Sequence, residues 1–225
     1  MERVSKWIGV LRDILIENSK PSDRKIIGKQ VIDLSHHNGQ VDFKKVKNSG
    51  IFGVIQRLGY GDENIDRTAQ SNIPQAYSQG LKIGAYWFMY ALSMEEAIKE
   101  ADFFNSQLAI YKDKICLPVF ADYEYDSEEY AKKQGVKLDK KLRTDIVIAF
   151  LERLKAYGWE VGVYANRDYL RYKFDYSRIE KYILWYADWR QNPDQKFIDK
   201  AMLWQYTSKG EVDGVKGEVD ISELK

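Results

Sequence analysis

Short apolar runs alternate with helical patterns along most of the chain. From Val31 onward, nearly continuous apolar or β-branched runs are separated by longer stretches in which apolar residues recur every three or four positions. Strands that are covered on both faces carry such continuous runs. The pattern predicts eight strands, over residues 31–34, 53–58, 82–89, 117–123, 160–165, 183–188, 201–206 and 218–221.

Helices are predicted between several of these strands. The Ser-Met-Glu-Glu run that begins at Ser93 has the spacing of a capping box and precedes an amphipathic stripe. A second amphipathic helix is predicted over residues 139–157, with Gly158 as its C-terminal cap. Residues 66–79 are also predicted to be helical, with an interruption near Pro74.

The repeated strand-helix order indicates the α/β class with parallel β/α units. Eight strands are enough to close a barrel. The connections over residues 189–200 and 207–217 are too short for full crossover helices. We therefore predict an irregular TIM-like β/α barrel over residues 29–225, whose last strands lack regular crossover helices and pair antiparallel.

Residues 1–28 are predicted to form a separate extension before the barrel. An amphipathic helix is predicted over residues 2–19, and Pro21 follows it. One interpretation is a helix that packs on the surface of the barrel; the other is a docking helix for a protein partner or for self-association. We expect no membrane span, and the apolar stretch near Trp7 is interrupted by Arg12 and does not read as a signal peptide.

Composition narrows the classes of function. With 35 basic and 34 acidic residues the net charge is +1, which gives no long-range attraction to nucleic acid. The single cysteine, Cys116, excludes an intrachain disulfide, and its apolar neighbours predict a buried thiol. The histidines His36 and His37 are adjacent and more suited to supporting a loop than to catalysis. Without metal-ligand spacing or a nucleotide fingerprint, we expect neither a metal nor a cofactor.

Acidic residues stand at the ends of predicted strands. In β/α barrels the reactive groups lie at the carboxyl ends of the strands. Asp33 ends the first strand, Asp122 and Glu124 end the fourth, and Asp220 lies in the last. Residues two apart on a strand point to the same side, which places the two carboxylates about 6–7 Å apart. Mutual repulsion raises one pKa, and a neutral acid beside a carboxylate is what glycoside cleavage requires.

The segments that carry these acids resemble the lysozymes of glycoside hydrolase family 25, which include many phage endolysins. The matching segments occur in family order and cover about residues 30–225. They are Val31 to Gly39, Gly53 to Arg57, Gly84 to Phe88, Pro118 to Glu124, Gly162 to Asn166, Leu184 to Ala187, Leu203 to Ser208, and Val219-Asp220.

The resemblance implies hydrolysis of the β-1,4 bond between N-acetylmuramic acid and N-acetylglucosamine in bacterial peptidoglycan. It implies that Glu124 is the general acid and Asp122 its partner, and that Asp33 and Asp220 are the other two acidic positions of the site. Retention of configuration is expected, through an intermediate that is either covalent to Asp122 or formed by the substrate's own acetamido oxygen.

Residues at or near strand ends are candidates for substrate binding. Four aromatic side chains are expected to stack on sugars, Arg57 either lies in the groove or forms a structural ion pair, and Gln205 belongs to the matching Trp-Gln-Tyr segment. The aromatic candidates are Tyr86, Tyr164, Trp185 and Tyr186.

Two other functions remain open from the sequence. Family 18 chitinases also use an Asp-X-Glu pair, but their longer acidic motif has aspartates where this chain has Leu117 and Phe120. A wall-binding or tail-associated module within a larger particle is the second alternative. The expected setting is a phage endolysin made in the host cytoplasm and acting on the wall, or a virion-associated lysin.

Overall fold

The computed structural model describes residues 26–225, and the helix predicted over residues 2–19 lies outside this range. A single sheet closes on itself in the strand order β1-β9-β8-β7-β6-β5-β4-β2, and β2 pairs back with β1. The short strand β3 extends only the end of β2. The strands are β1 Gln30–Leu34, β2 Gly53–Tyr60, β3 Asn64–Ile65, β4 Lys82–Phe88, β5 Ile115–Asp122, β6 Val161–Asn166, β7 Ile183–Ala187, β8 Leu203–Gly210 and β9 Val219–Leu224.

The eight predicted strands and the irregular barrel are confirmed. From β1 through β2, β4, β5, β6 and β7 to β8, each pair of neighbours is parallel. Only β9 runs antiparallel to both of its neighbours, β8 and β1. The expected antiparallel pairing is therefore right for β9 and wrong for β7 with β8, because one short helix in the connection suffices to return the chain.

Helices cover the outside of the barrel. They are α1 Phe43–Asn48, α2 Ala69–Ser78, α3 Met94–Ile110, α4 Tyr125–Lys133, α5 Lys140–Ala156, α6 Tyr176–Ile179 and α7 Gln195–Ile198, with a 3₁₀ turn over His36–Asn38 and a π turn over Tyr169–Lys173. Ser93 caps α3 by accepting a hydrogen bond from the Glu96 N–H at 3.1 Å. In this part of the chain, none of the helices combines the length and apolar character that a membrane crossing requires.

The predicted interruption at Pro74 is wrong, since α2 continues through it. A proline inside a helix removes one backbone hydrogen bond. Here the helix is kept by its buried face, on which Ile73 and Ala76 pack in the core. The Asn72 side chain adds a hydrogen bond of 2.9 Å to buried Gln56 on β2. Tertiary packing therefore outweighs the local preference.

Two apolar layers hold the barrel. The outer layer lies between strands and helices, where Phe104 of α3 stacks on Phe150 of α5 with ring centroids 6.0 Å apart. The inner layer fills the barrel and contains the rings of Phe120 and Trp185. Gly162 makes room for it, because a Cβ there would lie 2.5 Å from the Phe120 ring. This filled interior forms a floor below the carboxyl ends of the strands.

The predicted burial of Cys116 is wrong. The cysteine is exposed, because it is the second residue of β5 and lies at the rim where that strand begins. Burial on β5 starts only at the next residue, Leu117. Of the two apolar neighbours that suggested a buried thiol, Leu117 is buried but Ile115, the first residue of β5, is only half-buried.

Candidate active site

Four carboxyl groups meet at the mouth of the barrel. Asp33 and Asp220 are direct partners in the antiparallel pairing of β1 with β9. Asp122 is the last residue of β5, and Glu124 follows two positions later. Because β9 runs antiparallel, its beginning lies beside the carboxyl end of β1, so acids from three strands come together.

The chain alternates as it leaves β5. Tyr123 is buried on the outer side, where its hydroxyl donates to the Ala91 carbonyl at 3.2 Å. Asp122 and Glu124 point to the other side, and their carboxyl groups lie within hydrogen-bonding reach of each other. Asp122 is 6% exposed, whereas Glu124 is only partly buried. The two acids therefore face one another, with Glu124 nearer to solvent.

The backbone at Glu124 is anchored by a buried serine. Glu124 is the N-cap of α4, and its N–H donates to the Ser127 Oγ at 3.1 Å. The Ser127 hydroxyl in turn donates to the Met89 carbonyl, just past the end of β4, at 2.7 Å. Ser127 thus joins the start of α4 to the neighbouring strand and fixes the point from which the Glu124 side chain extends.

Burial and nearby negative charges raise the pKa of both acids, while the hydrogen bond with Asp122 opposes the shift at Glu124. Burial is the main cause at Asp122, and the negative charges of Glu124 and Asp33 add to it. Burial, followed by the charges of Asp126 and Asp220, raises the pKa of Glu124 to about 7. At neutral pH the pair therefore retains a proton that isolated carboxyl groups would lose.

The second pair behaves in the same way. Burial and the neighbouring Asp220 raise the pKa of Asp33 well above its usual range, while a hydrogen bond from Gln205 opposes the shift. The Gln205 Nε2 donates to the Asp33 Oδ2 at 2.9 Å. Burial also raises the pKa of Asp220, and its hydrogen bond with Asp33 opposes this. At neutral pH the four carboxyl groups at the barrel mouth therefore carry fewer than four negative charges.

Arg57 forms an ion pair beside the acids, the second of the two interpretations offered by the sequence. Its Nε lies 2.9 Å from the Oδ2 of Asp66, which is fully buried. Its Nη2 lies 2.6 Å from the Nδ1 of His36. The same Nδ1 lies 3.1 Å from the Asp66 Oδ2, so the imidazole lies between the arginine and the carboxylate. His36 therefore supports the loop after β1, as expected.

Two predicted sugar-stacking residues lie in the core. Tyr186 is fully buried on the outer side of the barrel, where its ring packs on Phe197. Trp185 is 2% exposed inside the barrel, and its Nε1 donates to the Ser222 Oγ at 2.9 Å. Neither ring has a face open to a sugar, so the stacking prediction for these two residues is corrected to a packing role.

The other two predicted aromatic residues form the floor of the acid site. Tyr86 and Tyr164 pack edge-on against Trp185 from the barrel interior. Burial and the nearby acids raise the pKa of both hydroxyls well above the usual range. Their hydroxyls, rather than their ring faces, are thus directed toward the site. Gln205 is also buried, and its amide is engaged by protein groups.

Trp189 is a candidate that sequence reasoning missed. It lies just past β7, is 54% exposed, and donates through its Nε1 to the Gln205 Oε1 at 3.0 Å. A tryptophan in a loop has no periodic neighbours to indicate its direction, so the sequence offered only its position directly after the strand predicted over residues 183–188. Within residues 26–225, no group of three or more His, Cys, Asp or Glu side chains is arranged to hold a metal ion.

Similar sequences are found among lysozymes. The chain is 26% identical over 197 residues to the autolytic lysozyme of Clostridium acetobutylicum and 27% identical over 199 residues to lysozyme M1 of Streptomyces globisporus. Each alignment covers 86% of this chain, but only 55% and 66% of the respective relative. The chain thus spans less than two thirds of the length of either protein.

Similar folds are found among autolysins, endolysins and lysozymes. The modular autolysin LytC of Streptococcus pneumoniae, in complex with a synthetic peptidoglycan ligand, has a TM-score of 0.77 and 27% identity, over 88% of this chain and 47% of that one. The CTP1L endolysin has a TM-score of 0.72 and 28% identity, over 88% of this chain and 66% of that one. The lysozyme of Streptomyces coelicolor, at 23% identity and a TM-score of 0.71 over 88% of this chain and 92% of that one, shares the fold.

The family assignment rests on the sequence itself. The profile of the Glycosyl hydrolases family 25 matches residues 32–215, which is most of the chain and includes Asp33, Asp122 and Glu124. The irregular barrel and the cluster of acids at its mouth agree with this match. The chain therefore belongs to glycosyl hydrolase family 25.

Proposed function

We propose that the protein is a lysozyme that hydrolyses the β-1,4 bond between N-acetylmuramic acid and N-acetylglucosamine in peptidoglycan. The observation that carries the proposal is the contact between the carboxyl groups of Asp122 and Glu124 at the barrel mouth, with a pKa of about 7 for Glu124. Family membership and the likeness to named lysozymes support the choice of substrate.

Glu124 is the proposed general acid. It is the more exposed member of the pair, so it can reach a bound glycan, and its raised pKa keeps it protonated near neutral pH. Its proton passes to the glycosidic oxygen as the bond from that oxygen to the sugar carbon breaks. Water then attacks the same carbon and returns a proton to the Glu124 carboxylate.

Asp122 is the proposed partner of Glu124 in this reaction. Its Oδ1 is buried and receives no hydrogen bond from residues 26–225. A buried carboxylate oxygen without a donor suits a substrate N–H, and the acetamido group of the sugar carries one. Asp122 would then orient the acetamido oxygen to attack the sugar carbon, or bond to that carbon itself. In either route a first nucleophile displaces the leaving group and water then displaces that nucleophile, so the configuration is retained.

Mass spectrometry of digested peptidoglycan tests the reaction. Reducing ends on muramic acid are expected, whereas reducing ends on glucosamine or cleaved peptides would contradict the proposal. Glu124→Gln should lower the rate about 10²–10⁴-fold, the usual contribution of a positioned general acid. Glu129→Gln, an exposed charge change on the same helix, is the matched control and should retain full activity.

The setting proposed for the enzyme is that of an endolysin or a virion-associated lysin, supported by the likeness to the CTP1L endolysin. Gly28 donates to the Leu224 carbonyl at 2.8 Å, so the chain preceding residue 28 joins the barrel at the pole opposite the acids. Deleting residues 1–25 should leave hydrolysis of soluble glycan unchanged. If those residues dock a partner or a second copy, the deletion changes the oligomeric state or the lysis of whole cells.

A further inference from the structure

Trp189 presents a fixed aromatic surface at the barrel mouth. More than half of the residue is exposed, while its one polar atom, Nε1, is held at 3.0 Å from the Oε1 of buried Gln205. The polar edge of the indole is thus directed into the protein, and the exposed part is ring carbon. An exposed tryptophan whose indole N–H is satisfied within the protein has the form of a binding platform rather than of an unpacked core residue.

The loop that carries Trp189 is held by its neighbour Asp188. The Asp188 carboxylate accepts hydrogen bonds from the Tyr186 hydroxyl at 2.7 Å and from the Arg190 Nε and Nη2 at 2.7 and 2.6 Å. The Asp188 carbonyl accepts from the Trp204 Nε1 at 3.2 Å. These bonds fix the backbone on one side of Trp189, so little conformational entropy is lost when a ligand packs on its ring.

The same indole determines how the Gln205 amide is oriented. An indole N–H only donates, so the amide atom that faces it must be the oxygen, and the amide nitrogen must face the other way. There it donates to the Asp33 Oδ2 at 2.9 Å. The Tyr164 hydroxyl also approaches the amide oxygen, at 3.1 Å, but a hydroxyl can donate or accept and does not select the orientation.

We propose that Trp189 binds a sugar residue of the glycan on its exposed ring and, through Gln205, holds the Asp33 carboxyl group in its observed orientation. The proposal rests on the proposed function, since it assumes an amino-sugar polymer as the substrate. It gives Trp189 a binding role and makes Gln205 a positioning residue. Trp189 thus contacts the sugar at the loop after β7 and, through Gln205, also orients Asp33, the partner of Asp220 in the pairing of β1 with β9.

The binding role is tested in a Glu124→Gln background, where the ligand is not cleaved. The probe is a soluble, peptide-free tetrasaccharide of alternating N-acetylglucosamine and N-acetylmuramic acid, titrated by calorimetry. Trp189→Ala should weaken binding about tenfold, as expected for loss of one aromatic contact, whereas Trp189→Phe should stay within about threefold of the parent. The control Tyr77→Ala removes another exposed ring, beside Lys114 at the start of β5, and should change nothing.

The positioning role is tested with Glu124 intact. Trp189→Phe keeps a ring but removes the N–H, so the Gln205 amide is free to turn and present its oxygen to Asp33. We expect a KM close to that of the wild type, a kcat lowered about fivefold or more, and a shifted pH profile, because the hydrogen bond to Asp33 is lost. A residue that only stabilised the fold would change the melting temperature without moving the pH profile.

The outcomes separate the two proposals. If the Glu124→Gln parent binds the tetrasaccharide and Trp189→Ala binds it equally well, the platform is overturned while the lysozyme assignment stands. If Trp189→Phe has the kcat and pH profile of the wild type, the positioning role is overturned. If the parent binds no glycan and the wild type cleaves none, the proposed function fails and this inference fails with it.

Discussion

Two groups of buried acids in this barrel differ in their surroundings and in their charge. At the mouth, Asp33 and Asp122 face other carboxyl groups, and their pKa values are raised. Just after β3 and β7, Asp66 and Asp188 are as deeply buried but pair with Arg57 and Arg190. There burial alone would raise the pKa, but hydrogen bonds from neighbouring groups hold both values below the usual range.

The difference shows that burial does not by itself identify a reactive acid. A buried carboxylate with an arginine and several N–H or O–H donors is a structural anchor, because every lone pair is used. Buried carboxyl groups that face one another have no such compensation, so together they retain a proton while one of them can stay charged. Replacing one acid from each group should therefore affect different properties of the protein.

Asp122→Asn should cause the largest loss of activity. Asparagine has nearly the same shape but supplies no negative charge to the reacting carbon, so the rate should fall on the order of a hundredfold or more. Stability should stay the same or increase, because repulsion from Glu124 and Asp33 is removed. Reducing-sugar release and thermal unfolding measure the two properties. A folded, fully active variant would contradict the role given to Asp122.

Asp66→Asn should produce the opposite result, a large loss of stability. Arg57 is 9% exposed, and Asp66 is the carboxylate paired with it. Leaving that cation unpaired costs about 3–5 kcal/mol in comparable cases. For a chain of this size the melting temperature should fall on the order of 10 °C. Asp113→Asn, which breaks an exposed pair with Lys114, is the control and should have no measurable effect. A stable Asp66→Asn variant would remove the distinction between the two groups.

The sequence predicted the cluster of acids at the barrel mouth better than the residues around it. Asp33, Asp122 and Asp220 lie within apolar strands, and an acid in such a run is unusual enough to be noticed. The partners of Asp66 could not be predicted, since Arg57 reaches it through the pairing of β2 with β3 and His36 reaches it from the loop after β1. Which acids are compensated depends on these tertiary contacts.

The aromatic residues show the same limit. The eight strands follow from their apolar runs, but a run that is apolar on both faces does not indicate which side chains point into the barrel. Trp185 and Tyr186 are adjacent and were both expected at the sugar, yet one fills the barrel interior and the other packs beneath α7. Trp189, in the loop beyond them, has the exposed ring.

Glu100 is a third kind of buried acid and sharpens the comparison. It lies on α3, is 4% exposed, accepts from the Tyr90 N–H at 3.1 Å, and has one oxygen without a partner among the described residues. Burial raises its pKa to about 8, although it lies outside the acid cluster. Between about pH 4.5 and pH 8, Glu100 is therefore protonated in the folded state and ionised in the unfolded state.

Glu100→Gln should reduce the loss of stability with rising pH. The wild-type contribution is fully present below the unfolded pKa and is lost as the pH rises through about 8. At about 1.4 kcal/mol per pKa unit, the variant should gain a few kcal/mol relative to the wild type between pH 5 and pH 8.5. Chemical unfolding at both values measures this, with exposed Glu95→Gln on the same helix as the control. If the variant and the wild type show the same pH dependence of stability, ionisation of Glu100 does not destabilise the folded state.

The smallest expected effect tests the charge environment of Glu124 directly. After burial, the exposed carboxylate of Asp126 is the main cause of the raised pKa of Glu124. Because the proposed general acid must be protonated, kcat/KM should fall as the pH rises above about 7, tenfold per unit. Asp126→Asn should move this alkaline limb a few tenths of a unit toward acid, and added salt should shrink the difference because the Asp126 charge is screened. Glu129→Gln changes the net charge equally from the same helix and should move the limb less. If Asp126→Asn does not move the alkaline limb at low ionic strength, the titrating acid is not Glu124. The link drawn above between uncompensated buried acids and reactivity would then have no support from the activity of the enzyme.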